Sequence, residues 1–198
     1  AASLTGDITT VRGMLDDLYP RPGADFMAVY LDAGPGGFAG AGNKPHYTSP
    51  QVLGSAALIG LVRSLAQGKT VAFGNALLYD SWLQLVAIAI ENPFGGRIGA
   101  LVVGKAFAQA DLQRLRQLVY ADMAIFSGNA VLASSIDNLQ PRLHLLNGLS
   151  TPQAVTRLDT ESGRYSIRTL PVLAHEGSKE QVAKVLLAVP HSAYWKPY

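Results

Sequence analysis

The chain has 198 residues, of which 48% are hydrophobic and 15% are charged, and its 16 basic and 14 acidic residues give a formal net charge of +2. This apolar content is enough for a packed core and excludes a disordered chain. The near balance of charge, without a cluster of Lys and Arg, argues against nucleic acid as a partner. The absence of cysteine excludes thiolate catalysis, Cys-based zinc sites and disulfides.

Three features of the sequence bear on its relation to a membrane: the lengths of its apolar runs and the residues at its two ends. No segment reaches the ~18–20 consecutive apolar residues of a membrane span. The sequence begins with Ala1-Ala2, without an initiator Met or a signal peptide, and we interpret it as an excised or processed form. At the other end, Tyr194–Tyr198 combines aromatic residues with Lys196, a composition typical of a membrane interface; a frayed chain end is the alternative.

The first half of the sequence predicts a helix, a strand, a loop, a second helix and three strands. Apolar spacing indicates the first helix within residues 1–22, and Ser49 with Pro50 is an N-cap signal for the second. The predicted elements are the helix Ser3–Leu18, the strand Phe26–Leu31, the Gly-rich loop Pro35–Asn43, the helix Ser49–Ala66 and the strands Thr70–Tyr79, Leu83–Glu91 and Arg97–Val103.

The second half repeats this order of elements with little residue identity. The predicted elements are the helix Ala108–Val119, the hairpin strands Met123–Phe126 and Ala130–Ala133, a partly helical stretch Ile136–Leu146, and the strands Ala154–Leu158, Tyr165–Leu173 and Val182–Val189. The fold class is therefore α+β, with two tandem modules over 23–105 and 106–198, each an antiparallel sheet with flanking helices. The helices Ser3–Leu18 and Ala108–Val119 are expected to cover the second faces of the sheets.

No motif in the sequence predicts catalysis, a metal site or a cofactor. The run Gly34–Gly40 follows a strand, but no helix opens after it as a dinucleotide fingerprint requires. The histidines are scattered without metal-ligand spacing, at His46, His144, His175 and His191. A serine nucleophile elbow is also missing. We therefore expect neither a bound cofactor nor an enzyme.

One polar and aromatic cluster is a candidate lining for a small-molecule pocket. Asn75, Tyr79 and Trp82 lie across the end of one predicted strand and the start of the next, and they supply apolar surface together with orienting polar groups. Tyr30 and Phe73 are expected to face the same volume. The alternative is that the aromatic residues are ordinary sheet-edge residues. A ligand carboxylate would pair with Arg63, Lys44 or Lys105.

Three stretches resemble the Cache family of PAS-like sensor domains. Leu83–Pro93 followed by Gly96–Gly104 is similar to the last two strands of a Cache module. Ala121–Ser135 is similar to the hairpin that opens a second module, and Tyr30–Gly34 resembles the first hairpin of the membrane-distal module. Together the resemblance spans roughly Phe26–Pro190. It implies a double Cache domain with a distal module over 23–105 and a proximal module over 106–198.

The resemblance also implies a function. Double Cache domains are extracytoplasmic sensors between two transmembrane helices, with a histidine kinase, a cyclic-di-GMP enzyme, a nucleotide cyclase or a chemoreceptor region as output. A periplasmic location, a membrane anchor and a homodimer through the N-terminal helix follow from the family. Arg63 and Asp80 do not match the spacing of the family's amino-acid-binding signature. A small carboxylate or another small metabolite is therefore as open a possibility for the ligand as an amine or an amino acid.

Three other functions are compatible with the sequence. A ligand-free periplasmic module for protein interaction or dimerisation is the main alternative to a ligand sensor. The others are a cytosolic GAF- or PAS-type sensor and an enzyme of unrecognised type. In the ligand-sensor interpretation, the distal module binds the small molecule and the proximal module transmits the signal.

Overall fold

The computed structural model describes residues 8–19, 23–32, 38–43, 45–65, 69–78, 81–139, 141, 146, 155–160 and 163–191. These residues form two five-stranded antiparallel sheets with flanking helices. The chain divides into two compact units, residues 1–106 with 174–179 and residues 107–173 with 180–198. The predicted modules differ from these units in the placement of residue 106 and of residues 174–179. None of the helices formed by the described residues has the length and hydropathy needed to cross a membrane.

The first unit contains a sheet with the strand order β2-β1-β5-β4-β3. Its elements in chain order are α1 (Ile8–Leu18), β1 (Phe26–Leu31), β2 (Phe38–Gly42), α2 (Pro50–Leu53), α3 (Ala56–Ser64), β3 (Val71–Leu78), β4 (Ser81–Glu91) and β5 (Arg97–Ala106).

The two faces of this sheet bury different apolar clusters because successive side chains on a strand point to opposite sides. Phe26, Ala28 and Tyr30 of β1 pack in the cluster that includes the side chains of α2 and α3. The intervening Met27 and Val29 pack with α1 in a separate cluster. We call the first side the α3 face and the second side the α1 face. The prediction that the N-terminal helix covers the second face of the sheet is confirmed over β1 and β2.

The strand β2 corrects the prediction of a loop over Pro35–Asn43. Phe38–Gly42 pairs with β1 in an antiparallel register, with Ala39 opposite Val29. Glycine usually weakens a strand, which is why the sequence favoured a loop. Here it permits close packing: a Cβ on Gly40 would lie 2.8 Å from Cδ2 of Leu53. Contact with α2 therefore overrides the local propensity.

The second predicted helix, Ser49–Ala66, is two helices in the structure. The N-cap prediction is confirmed, because the backbone N–H of Val52 donates to Oγ of Ser49 at 3.4 Å. However, α2 ends at Leu53 and α3 begins at Ala56, after Gly54 and Ser55. Gly54 closes α2 with a backbone N–H bond to the carbonyl of Pro50 at 2.8 Å. The break separates two short helices on the α3 face.

The second unit contains a sheet with the strand order β7-β6-β10-β9-β8. Its elements are α4 (Gln109–Val119), β6 (Asp122–Ser127), β7 (Ala130–Ser134), β8 (Thr156–Thr160), β9 (Gly163–Leu173) and β10 (Gln181–Pro190). The predicted hairpin of β6 and β7 is confirmed. Residues 140 and 142–145 of the predicted stretch Ile136–Leu146 lie outside the described residues. A separate apolar core, with Phe126, Ile167 and Leu186 at its centre, lies within this unit.

The connection between β9 and β10 belongs to the first unit and covers the outer edge of β3. The backbone N–H of Asn75 donates to the carbonyl of Ala174 at 2.6 Å, and Gly74 forms a bridge with His175. A Cβ on Gly74 would lie 2.7 Å from the same carbonyl oxygen, so only glycine fits there. An exposed strand edge is a template for aggregation, and this segment covers part of it.

Candidate functional site

Tyr30 lies on the α3 face and is a core residue of the first unit. Its side chain is 7% exposed, its hydroxyl donates to the carbonyl of Leu53 at 2.6 Å, and its ring is 5.8 Å from that of Phe38. Burial raises the pKa of the Tyr30 phenol well above its ordinary value of 10.0. Tyr30 is therefore a neutral donor that ties β1 to the end of α2.

Phe73, Asn75 and Trp82 lie on the α1 face, which separates them from Tyr30. Alternate residues of β3 and β4, such as Ala72 and Leu83, belong to the core on the α3 face, so these three point to the other side. The prediction that Tyr30 shares one volume with them is therefore wrong. It failed because the two strands and β1 are not adjacent, and sequence alone does not fix which face each strand buries.

The pairing of Asn75 with Trp82 does bring two predicted site residues together. The indole Nε1 of Trp82 donates to Oδ1 of Asn75 at 3.2 Å, and the Trp82 side chain is 8% exposed. Phe73, two residues before Asn75, is 69% exposed. Trp82 and Asn75 thus form a mostly buried pair, whereas Phe73 presents an apolar ring to solvent.

The remaining predicted site residues are exposed or lie outside the described residues. Arg63 is exposed in the last turn of α3, where its charge complements the helix dipole. Lys105 is exposed on β5, opposite Gln84. Tyr79 and Lys44 lie outside the described residues, so a role for either remains a prediction.

A cavity of about 370 Å³ lies at one end of the first sheet. It opens where α3 ends, β3 begins and the turn between β4 and β5 closes. Its lining includes Leu65, Lys69, Thr70, Ala89, Glu91 and Arg97. Small-molecule sites combine apolar walls with a few polar groups that fix orientation, and this cavity has both.

Arg97 is the most constrained polar group of this cavity. Its Nε donates to Oδ2 of Asp32 at 2.7 Å and its Nη2 donates to Oδ1 at 2.9 Å, so the guanidinium is held in a bidentate pair. The third nitrogen, Nη1, is buried and has no hydrogen-bond partner among the described residues. A buried donor without an acceptor costs about 1–3 kcal/mol, so an acceptor brought by a ligand would relieve this cost.

Lys69 and Glu91 are the other charged residues that the structure places in the cavity lining. Nζ of Lys69 is 2.7 Å from Oε2 of Glu176, and both side chains are largely exposed. The hydrogen bond and the charge of Lys69 lower the pKa of Glu176. Glu91 has an exposed side chain without an ion pair among the described residues. The charged residues that line the cavity are therefore of both signs: Lys69, Glu91 and Arg97.

No local pattern in the sequence predicts this cavity. Asp32 and Arg97 are 65 residues apart and come together because β1 and β5 pair, with Leu31 opposite Gly99. Taken alone, Asp32 and Arg97 are ordinary charged residues at the ends of strands. Within the described part of the chain, no group of three or more His and acidic residues could hold a metal ion.

Comparison with solved structures decides the fold. The ligand-binding domain of the Campylobacter jejuni chemoreceptor Tlp3, in complex with L-norvaline, has a TM-score of 0.51 and 15% identity, over 96% of this chain and 74% of that chain. The chain therefore shares its fold, two tandem PAS-like modules, with this domain. The predicted fold class, with two tandem PAS-like modules, is confirmed.

Two other structures align over most of the chain. The periplasmic domain of Vibrio cholerae LuxQ has a TM-score of 0.48 and 12% identity, over 96% of this chain and 84% of that chain. The ligand-binding domain of the Pseudomonas fluorescens chemoreceptor CtaA, in complex with L-leucine, has a TM-score of 0.49 and 12% identity, over 98% and 83%. No protein-family model and no curated protein sequence matches the chain.

Proposed function

We propose that this chain is the extracytoplasmic small-molecule-sensing domain of a transmembrane signal-transduction protein. The double Cache fold supports this proposal, since the Tlp3 domain of the same fold is the ligand-binding domain of a chemoreceptor. A periplasmic location, a membrane anchor and a homodimer are parts of the same proposal. The chain senses and transmits and has no catalytic role; the output is a kinase, a cyclic-di-GMP enzyme, a nucleotide cyclase or a chemoreceptor region.

The observation that carries the proposal is the unpaired donor of Arg97 beside a cavity in the first unit. A ligand carboxylate or carbonyl would accept from Nη1, while Leu65 and Ala89 supply apolar wall. A carboxylate is favoured because hydrogen bonds between charged groups are stronger than those between neutral ones. The ligand site is therefore proposed at Arg97, in the distal module.

Burial of this donor links binding to conformational change. Because Nη1 has almost no surface open to water, a ligand acceptor reaches it only when neighbouring residues move. A ligand that binds the opened state better than the closed state shifts the population towards the opened state. This shift is the signal that the proximal module would transmit.

A thermal-shift screen with a matched pair of variants tests the proposed site. The wild type is screened against carboxylates, amino acids, amines and nucleosides; a ligand at about a hundred times its Kd stabilises by ~2.7 kcal/mol. Arg97→Lys removes the planar guanidinium but keeps the positive charge. This variant should abolish the rise in melting temperature that the ligand causes. Arg63→Lys makes the same change at an exposed arginine outside the cavity and should preserve it.

Each outcome of this screen separates the hypotheses. A carboxylate hit that is lost in Arg97→Lys and kept in Arg63→Lys supports the site. A hit that survives Arg97→Lys moves the ligand elsewhere in the fold, and variants of Tyr79 and Trp82 then test the residues predicted from the sequence. Absence of any hit would favour the ligand-free alternative.

A ligand-free protein-interaction module is the second candidate because one sheet face is apolar and exposed. Val71, Phe73 and Ile88 are 40%, 69% and 42% exposed, and Val71 lies directly opposite Ile88 in the register. Exposed apolar residues in a contiguous group are typical of interaction surfaces. Sedimentation of the wild type and Phe73→Ser over a range of concentrations tests this; equal monomer mass for both would argue against self-association through this face.

A further inference from the structure

The second unit has a cavity of about 530 Å³ that is lined by one polar face of α4. Gln113, Arg116, Gln117 and Tyr120 stand at i, i+3, i+4 and i+7, which places them in one row along the helix. Asp122, the first residue of β6, also lines the cavity. Leu112, on another side of the same helix, is fully buried. The four residues of the polar row are exposed to solvent and border a concave space.

The charged groups of this cavity hold each other and leave it close to neutral. Nε of Arg116 donates to Oδ1 of Asp122 at 2.8 Å, and Oγ of Ser135 donates to the same oxygen at 3.1 Å. The Asp122 side chain is 10% exposed, whereas that of Arg116 is 49% exposed. A buried carboxylate thus positions a half-exposed guanidinium at the cavity wall. No net charge remains to select an anion or a cation.

The two glutamines supply further hydrogen-bonding groups. Neither Gln113 nor Gln117 has a side-chain hydrogen bond to another described residue, in contrast to Gln109, whose amide is held by Ser134. Each amide offers an acceptor oxygen and two N–H donors in one plane. Together with Arg116, they present several planar donors and acceptors along about one turn of helix.

Tyr120 places an aromatic ring at the same cavity in an unusual backbone conformation. It caps α4 with φ 54° and ψ 32°, and its N–H donates to the carbonyl of Arg116 at 3.0 Å. Glycine is the usual residue at such a left-handed helix end, since a Cβ is disfavoured there. The Tyr120 side chain is 90% exposed, so packing in the core does not explain it. A strained residue beside a cavity is grounds for a functional hypothesis.

We propose that this cavity is a second ligand site, in the proximal module, and that it takes a small neutral sugar. Neighbouring hydroxyls of a sugar act as both donors and acceptors, which matches Gln113, Gln117 and the Arg116–Asp122 pair. The apolar C–H face of a sugar ring packs against an exposed aromatic ring such as Tyr120. The volume lies in the range of ~300–1,000 Å³ found for small-molecule sites. This site is separate from Arg97 and does not depend on it.

Saturation-transfer NMR on the full chain tests the proposal with D-glucose, D-galactose, D-ribose and maltose as probes. At least one of them should bind. Tyr120→Gly should weaken that binding about tenfold or more without lowering the melting temperature, because glycine suits the left-handed cap. Gln117→Ala should also weaken it. Leu118→Ala, an exposed neighbour outside the polar row, is the control that should bind as the wild type does.

Three results would overturn the proposal. The first is that no probe sugar binds at concentrations up to about 10 mM. The second is that a sugar binds with equal strength to the wild type, Tyr120→Gly and Gln117→Ala. The third is that a carboxylate, and no sugar, binds in a way that Arg116→Gln abolishes. Arg97→Lys should leave sugar binding unchanged, so failure at one site is not mistaken for failure at the other.

Discussion

Arg97 and Asp32 join the ends of β5 and β1 through two hydrogen bonds, from Nε at 2.7 Å and from Nη2 at 2.9 Å. Their side chains are 26% and 37% exposed, so water screens the pair only in part. The pair fixes the guanidinium in one plane, and Nη1 is buried beside the cavity that Arg97 lines. The same contact therefore stabilises the sheet end and orients the proposed ligand donor.

Removal of the Asp32 charge should destabilise the fold by about 1 kcal/mol, since the bidentate geometry makes this pair stronger than a typical surface ion pair. The variant is Asp32→Asn, measured by urea denaturation. Asp159→Asn is the control. Oδ1 of Asp159 is 3.4 Å from Nε of Arg164, and the two side chains are 74% and 77% exposed. Equal losses in both variants would contradict this interpretation of the Arg97 pair.

Tyr30→Phe should destabilise the first unit by about 1–2 kcal/mol, because the variant removes the hydrogen bond to Leu53 and leaves a buried carbonyl without its donor. Denaturant unfolding checks this. Tyr120→Phe is the control: its side chain is 90% exposed, and the variant should unfold as the wild type does. A stable Tyr30→Phe variant would show that another donor reaches the Leu53 carbonyl.

Stability should also fall at high pH through Tyr30. Burial raises the pKa of this phenol above its ordinary value of 10.0, so the folded state holds the proton more tightly than the unfolded state. The resulting stabilisation is complete below pH 10 and decreases as the pH rises above that value. Between about pH 9 and 11, the free energy of unfolding of the wild type should fall more steeply with pH than that of Tyr30→Phe. Parallel pH profiles would refute this role.

Glu176 should titrate below the ordinary range of a glutamate because Lys69 bonds to its carboxylate and adds a favourable charge. NMR titration of the Glu176 side chain measures this pKa, and Lys69→Gln should return it to the ordinary value of 4.5. A depressed carboxyl pKa stabilises the fold above the unfolded pKa, and the effect is lost as the pH falls. Because both side chains are exposed, salt should weaken the shift.

Gly74→Ala should destabilise the first unit by about 1–3 kcal/mol, because the new Cβ would lie 2.7 Å from the backbone carbonyl oxygen of Ala174. Gly13→Ala is the matched control in α1. No atom lies within 4 Å of a Cβ added there, and alanine should stabilise the helix by about 1 kcal/mol. Thermal unfolding of both variants should therefore shift in opposite directions. A neutral Gly74→Ala would mean that the segment 174–179 can move away from β3.

The sequence alone determined the types and order of most elements. Alternating apolar residues predicted β3, β4 and β5, and the Ser49-Pro50 pair marked the start of α2, because these signals depend on neighbours a few residues away. Local patterns failed at β2, where glycine favoured a loop, and at the break after Leu53. At β2, close packing against α2 outweighed the local preference. At the break, Gly54 ends α2 through the hydrogen bond from its N–H to the carbonyl of Pro50.

Only the tertiary structure decided which residues share a site. A strand buries alternate residues, and the choice of face depends on what packs against it; the sequence therefore placed Tyr30 and Trp82 together although they lie on opposite faces. The Arg97–Asp32 pair spans 65 residues and follows from the pairing of β1 with β5. Long-range register creates such contacts, and no local spacing encodes them. Local patterns were therefore sufficient to predict the fold class, whereas three-dimensional packing selected the candidate binding groups.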